Sequence, residues 1–310
     1  MKIKQAVILC GGRGERLRPI TDKIPKPMVL INKKPFLYYL MLQLSKKGIS
    51  NFLLLTGYKG DLIEKYFDNG KKFGWSIKYS RGPIEWRTGQ RILKAEKLIY
   101  NKFILLYSDN FINFNYFLLL NKHLSENKTI TLLLVKKKNG NIALSKSNTI
   151  KRYDPKRTAN NLNYVELGYM LINKPNLIKD IKSNFKNKNF NFSLLLEIYS
   201  KMKKLNNIIV NNSYYSISDP KRLKITKDFF NNKKILLLDR DGIINHKAVN
   251  TRYVEDWSQF KFIKENIRGL QTLSKLGFKF IIITNQAAVS LGIISLKKLN
   301  NIHRKMIMEL

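Results

Sequence analysis

The stretch Leu9-Cys10-Gly11-Gly12-Arg13-Gly14-Glu15-Arg16-Leu17-Arg18-Pro19-Ile20-Thr21-Asp22-Lys23-Ile24-Pro25-Lys26-Pro27-Met28 decides how the chain reads. A short apolar run, Ala6–Leu9, leads into it and has the character of a buried strand. Three glycines within four positions let the backbone turn tightly, so that its N–H groups approach an anion closely. Arg13, Arg16, Arg18, Lys23 and Lys26 crowd the same loop with positive charge. A loop of this composition suits phosphates. A bare Gly-Gly-x-Gly also makes ordinary turns after strands. The longer run with Arg16-Leu17, Pro19, Thr21 and Pro25-Lys26-Pro27-Met28 is far more specific.

Outward from the loop, apolar strand-like runs alternate with segments of helical period, the pattern of an α/β sheet. Helices are expected over Pro35 to Lys47, Asp61 to Phe67 and Thr88 to Ile99, and strands over Phe52–Thr56, Ile77–Ser80 and Phe103–Tyr107. The last of these strands ends at Ser108-Asp109-Asn110. Ligands of open α/β sheets bind outside the carboxyl ends of the strands, where both the basic loop and Asp109 fall. From Thr129 the texture changes to the strand-like runs Thr129–Val135, Asn148–Tyr153 and Tyr164–Ile172. Helical stretches follow near Pro175–Ile181 and Ser193–Lys203, then the run Tyr214–Ile217 and a helix from Pro220 to about Phe230. The basic, Asn-containing stretch Asn231 to Lys234 marks a domain boundary, giving domains 1–230 and 231–310. The second domain opens with the strand Ile235–Leu238 running into Asp239-Arg240-Asp241-Gly242. A helix over Ile263 to Leu276, a strand over Phe278–Ile283 and a final helix from Ser295 complete it.

Composition narrows the classes. At 310 residues with 44% hydrophobic content the chain has room for two domains with real cores. Lys+Arg number 58 against 21 Asp+Glu, a formal net charge of +37. Such an excess suits a nucleic-acid partner. Here it is spread along the chain with abundant Asn, as in Phe185 to Phe192, which reads as a Lys- and Asn-rich background on solvated faces; nucleic-acid binding then rests on charge alone. No apolar run approaches a membrane span, and the strand near the N-terminus leaves no room for a signal peptide. Cys10 stands alone, which excludes an intramolecular disulfide and gives no zinc motif. A cytoplasmic protein is expected, with self-association left open.

The run from Gly11 to Met28 resembles the signature of the sugar-1-phosphate nucleotidyltransferases, with Glu15 where a hydroxyl residue is commoner. The resemblance implies a Rossmann-like domain with a mixed sheet whose loop, Leu9, Gly11, Gly12, Arg13, Gly14 and Arg16, cradles a nucleoside triphosphate. Arg16 would grip the β and γ phosphates, and Lys26 would face the α-phosphate and the incoming sugar phosphate; a guanidinium fork and a mobile ammonium suit those tasks. Asp109 would hold Mg2+. Arg87-Thr88-Gly89-Gln90-Arg91 resembles the family's Gly-Thr-Gly-Gly-Ala element, so Thr88 and Gly89 are expected at the nucleotide, while Gln90 and Arg91 depart and leave base preference open. Tyr153-Asp154-Pro155-Lys156 and Tyr164-Val165-Glu166-Leu167-Gly168 resemble the sugar-side elements, which places Asp154, Lys156, Glu166 and Gly168 at the sugar phosphate. Ser216 stands where many relatives carry a second acidic metal ligand.

Leu236 to Asn245 resembles the first motif of the haloacid-dehalogenase phosphatases, in their histidinol-phosphate and heptose-bisphosphate branch, and Ile282-Ile283-Thr284-Asn285-Gln286 resembles the second. The likeness implies the N-terminal part of a second Rossmann-like domain. Asp239 would be nucleophile and metal ligand, Asp241 general acid/base and metal ligand, and Thr284 and Asn285 would bind phosphate. The later Lys and acidic ligands of that family have no counterpart, so an incomplete and inactive phosphatase segment is expected. The order of the two domains implies a bifunctional enzyme of sugar-nucleotide synthesis for surface polysaccharide. The favoured substrates are GTP and D-glycero-D-manno-heptose 1-phosphate. The rivals are a transferase for another hexose 1-phosphate and a non-catalytic binding protein that keeps the fold.

Overall fold

Every residue of the first strand, Gln5–Cys10 (β1), is buried, as expected of a central parallel strand covered on both faces. The computed structural model describes residues 2–126, 128–186, 188–231, 234–249 and 251–310. The chain divides into two units, Met1–Asp228 and Phe229–Leu310. The expected linker Asn231 to Lys234 includes Asn232 and Lys233, which lie outside the described residues.

After β1 the first unit continues with α1 (Ile20–Lys23), β2 (Leu30–Ile31), β3 (Lys34–Pro35), α2 (Phe36–Ser45), β4 (Asn51–Thr56), α3 (Gly60–Phe67), β5 (Ser76–Arg81) and α4 (Thr88–Lys94). Next come β6 (Lys102–Tyr107), β7 (Asn110–Ile112), α5 (Tyr116–Ser125), β8 (Ile130–Lys136), β9 (Ile142–Leu144), β10 (Ile150–Tyr153) and β11 (Tyr164–Asn173). It closes with α6 (Lys174–Phe185), α7 (Phe192–Lys201), β12 (Leu205–Ile209), β13 (Tyr214–Ser216) and α8 (Pro220–Asn231), whose last residues run past Asp228. One nine-stranded sheet runs in the order β10-β9-β11-β6-β1-β4-β5, with β8 joining β11 and β12. β1 is parallel to β4 and β6, and β4 to β5, whereas β11 is antiparallel to β6 and β8. The sheet is therefore mixed, and the parallel half aligns its carboxyl ends on one edge. A continuous apolar core joins both halves, from Val7, Leu53 and Leu105 to Met170, Leu195 and Tyr199.

Three differences from the sequence pattern have physical causes. The helix expected over Thr88 to Ile99 stops at Lys94 and tightens into a single 3-10 turn, Glu96–Leu98. Helix α5 has an apolar face that is only partly covered: Phe117 and Leu118 are exposed, which blurs its period. Strand β12 carries Asn206 and Asn207 at buried positions, so it has no apolar run to announce it.

The second unit contains β14 (Lys234–Leu238), α9 (Lys264–Lys275), β15 (Phe278–Ile282), α10 (Ala287–Ser290) and α11 (Leu296–Glu309). β14 and β15 form a two-stranded parallel ladder with Leu238 opposite Ile282. Two small apolar clusters hold the unit, one around Ile244, Val254, Phe260, Ile302 and Met306, the other around Ala288, Ile294 and Leu299. Ile235, Leu237, Ile281 and Ile283, on one face of the ladder, are exposed.

Candidate active site

The glycine loop is set by β1 and pinned from three sides. β1 delivers Leu9 opposite Tyr107 of β6, and Ser108 Oγ donates to Leu9 O at 2.7 Å. Tyr58 N–H donates to Gly11 O at 3.2 Å, while its hydroxyl donates to Thr21 O at 3.0 Å. Thr21 Oγ1 in turn donates to Gly14 O at 3.0 Å. Gly14 sits at φ 69°, and a Cβ there would meet Lys26 Cβ at 2.9 Å, so this turn takes glycine for both conformation and space. Nothing lies within 4 Å of a Cβ placed at Gly12, which faces open space. Burial pushes the Cys10 thiol up to about 12, partly offset by Ser108, so it is no nucleophile.

The loop forms one wall of a cavity of about 820 Å³ lined by Leu9, Gly11, Gly12, Arg13, Gly14 and Arg16 together with Lys26, Thr88 and Asp109. Lys26 Nζ donates to Asp109 Oδ2 at 2.6 Å, bringing together two residues that the signature names separately. Arg16 is exposed and forms no ion pair among the described residues. Five cationic side chains, Arg13, Arg16, Lys26, Arg87 and Arg91, line the cavity against two carboxylates, Glu15 and Asp109. Such a balance is suited to a polyanion.

Gly89 alone of the expected nucleotide residues stands outside the cavity lining. Its N–H donates to Phe190 O at 3.0 Å, and a Cβ on it would meet the Phe190 ring at 2.2 Å. Its smallness is used for packing α4 against the segment before α7. Thr88 lines the cavity while its Oγ1 accepts from Phe192 N–H at 2.8 Å. Arg91, three residues further along α4, is a cavity residue that the sequence pattern recorded only as a departure. Its guanidinium donates to Thr56 O and Pro83 O at 2.6 and 2.7 Å. A Cβ on Gly11 would lie 2.3 Å from Arg91 Cζ, so the loop's first glycine makes room for that side chain.

The residues expected on the sugar side behave differently from one another. Asp154 is buried, and its oxygens accept from the N–H groups of Lys156, Arg157, Thr158 and Ala159 and from Thr158 Oγ1. The Ala159 N–H, then those of Lys156 and Arg157, hold its carboxyl below the usual range. It organises its own loop, and Lys156 points exposed from the same turn. Neither lines the cavity. Glu166 is buried: it accepts from Gly168 N–H at 2.7 Å and from Tyr153 OH at 3.5 Å. Burial pushes its carboxyl up to about 7, against the Gly168 hydrogen bond and with a further upward push from Asp109. Gly168, at φ 72°, packs on Tyr107, where a Cβ would meet the ring at 2.5 Å. Glu166 and Gly168 thus reach the cavity through Tyr107, which lines it.

Asp109, a carboxylate in the cavity, would offer Mg2+ one protein ligand, and the ion would supply charge neutralisation there. Among the described residues no cluster of three His, Cys, Asp or Glu surrounds it. Ser216 pairs with Asn110 in the β13–β7 ladder, and Ile217 N–H donates to Asp109 O at 3.0 Å. Position 216 therefore lies beside Asp109. Asp219 caps α8 instead, accepting from Arg222 N–H at 2.9 Å and from Ser218 Oγ at 3.1 Å.

In the second unit, Asp239 and Thr284 follow the paired strand ends. Asp239 is exposed and takes the Arg240 N–H at 2.6 Å. Asp241 is fully engaged: Arg240 Nε and Nη2, Asn245 Nδ2 and Gln286 Nε2 all donate to it within 3.0 Å. Burial raises the Asp241 carboxyl, but the bonds from Asn245, Gln286 and Arg240 outweigh it and hold the group low. The carboxylate that a phosphatase would use as proton donor is held here as an anion. Thr284 Oγ1 accepts from Gln286 Nε2 at 2.8 Å, and Asn285 is exposed. With both Asp241 oxygens taken, this pair does not fit a Mg2+ as arranged.

Comparison with known proteins agrees with the first-unit geometry. The family model described as nucleotidyl transferase matches residues 5–216. The chain is 38% identical over 131 residues to the D-glycero-alpha-D-manno-heptose 1-phosphate guanylyltransferase of Aneurinibacillus thermoaerophilus, covering 42% of this chain and 56% of that protein. It is 34% identical over 111 residues to the UTP–glucose-1-phosphate uridylyltransferase of Haloferax volcanii, covering 36% of this chain and 45% of that protein. The chain thus spans about half the length of these relatives. The solved inositol-1-phosphate CTP transferase of T. maritima superposes with a TM-score of 0.60 at 19% identity, over 73% of this chain and 96% of that one, a likeness of fold. No helix among the described residues is long and apolar enough to cross a membrane. Glycine loop, lysine, strand-end aspartate and family match coincide on one sheet edge, and the chain belongs to the nucleotidyl transferase family.

Proposed function

We propose that the first unit transfers a nucleotidyl group from a nucleoside triphosphate to a sugar 1-phosphate, releasing pyrophosphate. One observation carries this reading: Lys26 and Asp109 converge at 2.6 Å in the cavity that the glycine loop walls. The N–H groups of Gly11 to Gly14 and the Arg16 guanidinium bind the β and γ phosphates of the leaving pyrophosphate. Lys26 places its ammonium at the α-phosphate, where charge builds as the sugar-phosphate oxygen attacks in line and the bond to the β-phosphate oxygen breaks. A Mg2+ on Asp109 supplies further charge neutralisation when bound. Glu166, through the Tyr107 side of the cavity, accepts from sugar hydroxyls.

GTP and D-glycero-D-manno-heptose 1-phosphate are the favoured pair, supported by the Aneurinibacillus relative. The Haloferax relative supports the second reading, a glucose-type hexose 1-phosphate. The second unit is read as a phosphatase-like module that is silent as arranged, because Asp241 is held as an anion by Asn245, Gln286 and Arg240. The whole is read as a cytoplasmic enzyme of sugar-nucleotide supply. Incubating the protein with each NTP, a sugar 1-phosphate panel and Mg2+, and measuring pyrophosphate, tests the reading. Release with one pair supports it, and no release with any pair overturns it.

A further inference from the structure

Of the cavity guanidiniums without a task in the transfer just described, Arg91 alone is buried. Arg91 is 5% exposed, lines the cavity and forms no ion pair among the described residues. Its bonding is lopsided. Nη1 spends one proton on Thr56 O at 2.6 Å, and Nη2 one on Pro83 O at 2.7 Å. The remaining proton of each meets only a distant carbonyl, Gly82 O at 3.4 Å and Gly11 O at 3.5 Å. Bonds of that length are weak, and Nε–H has no acceptor among the described residues. A buried guanidinium ordinarily uses all five N–H groups. This one keeps three of them lightly engaged beside Gly11, in the floor of the phosphate-binding loop. Trp86 lines the same cavity, with its ring laid over Gly82 so closely that a Cβ there would meet it at 2.3 Å.

We propose that Arg91 selects the base of the nucleotide, donating to the adjacent O6 and N7 acceptors of a guanine that stacks against Trp86. This rests on the reading of the cavity as a triphosphate site. The chemistry discriminates in both directions. Guanine offers two neighbouring acceptors that match a guanidinium fork, adenine sets an amino donor against it, and a pyrimidine has no N7. A flat indole gives a sequence-tolerant stacking face, so Trp86 supplies affinity and Arg91 supplies choice.

The test measures dissociation constants of GTP, ITP, ATP and 7-deaza-GTP for the 310-residue protein by equilibrium dialysis, with pyrophosphate release followed in parallel. GTP and ITP, which share O6 and N7, bind more tightly than ATP by about 5- to 150-fold. On the unmutated protein, 7-deaza-GTP binds more weakly than GTP, a readout that needs no variant to fold. Arg91→Met brings GTP and ITP to the level of ATP, Arg91→Lys keeps part of the preference, and Trp86→Ala weakens all four nucleotides alike. Equal affinity of the unmutated protein for GTP, ATP and 7-deaza-GTP overturns the proposal. So does an Arg91→Met variant that weakens every nucleotide by one common factor, or an absence of nucleotide binding. Selective binding without pyrophosphate release overturns the transferase reading and leaves the base reader standing. Pyrophosphate release without base discrimination does the reverse.

Discussion

Lys26 Nζ and Asp109 Oδ2 stand 2.6 Å apart although 83 residues separate them in sequence. The 3-10 turn Lys26–Met28 presents the lysine, and the end of β6 presents the aspartate. Side chains 13% and 25% exposed keep the pair partly shielded, so its charges act at close range on whatever fills the cavity. Lys26→Ala is expected to lower kcat/KM for pyrophosphate release by about 10²- to 10³-fold, the usual cost of losing one donor to a developing charge. Lys26→Arg, longer and planar, recovers little of it. An unimpaired Lys26→Ala variant contradicts the assignment.

Glu166 ties stability to pH. Its carboxyl titrates near 7 in the folded chain against 4.5 when unperturbed, so the folded state binds the extra proton between those values. Its contribution is fully present below about pH 4.5 and is lost as pH rises through about 7. Glu166→Gln removes the ionisation and keeps an oxygen for Gly168 N–H. Relative to the parent it gains about 1–3 kcal/mol at pH 8 and nothing near pH 4. Urea denaturation at the two pH values measures the difference; an equal effect at both counts against the assignment.

Two glycines of the signature separate loop from core. Gly89→Ala drives a methyl into the Phe190 ring and is expected to cost about 1–3 kcal/mol of stability. Gly12→Ala meets nothing within 4 Å and leaves the denaturation midpoint unchanged while raising the KM for the nucleotide. Midpoints measured beside KM separate these effects, and reversed behaviour of the two glycines shows the assignment to be wrong.

Ser216 occupies the position across the ladder from Asn110, beside Asp109. Ser216→Asp is expected to lower the Mg2+ concentration for half-maximal activity several-fold, since a second carboxylate adds a hard ligand. Titration of activity with Mg2+ reads this. A higher requirement in the variant argues that position 216 does not reach the ion.

Arg240 is fully buried against Asp241 in the second unit. Replacing it with Met removes the charged partner of the half-buried Asp241 and leaves Asn245 and Gln286 as its donors, with an expected loss of about 1–3 kcal/mol. The fluorescence of Trp257, in the same unit, follows the transition. A double variant, Arg240→Met with Asp241→Asn, removes the charge and keeps an oxygen for Asn245 and Gln286, so it recovers part of the loss.

The legible part of this molecule is what the backbone and short-range pattern carry. The apolar runs of β1, β4 and β6 announce parallel strands, and the glycines and Pro25-Lys26-Pro27 mark a loop with room for phosphate. What stays hidden depends on pairing between distant segments. Asn206 and Asn207 make β12 look like a loop until β8 lies beside it. Asp154 has the look of a ligand until four backbone N–H groups are seen to fill it. Arg91 reads as a departure from a small residue, and only the folded arrangement of Gly11, Thr56 and Pro83 shows the space that receives its side chain.

Strand β11 runs antiparallel to β6 with Tyr169 opposite Leu106, so Glu166, three residues before Tyr169, and Asp109, three after Leu106, follow the same end of that ladder. The distance between Asp109 and Glu166 is therefore governed by strand register more than by loop length. A change of sugar size cannot be met by sliding one strand past the other, because a one-residue slip turns every buried side chain of β11 to the opposite face. Engineering a new acceptor into this scaffold is a matter of resculpting side chains around a fixed ruler.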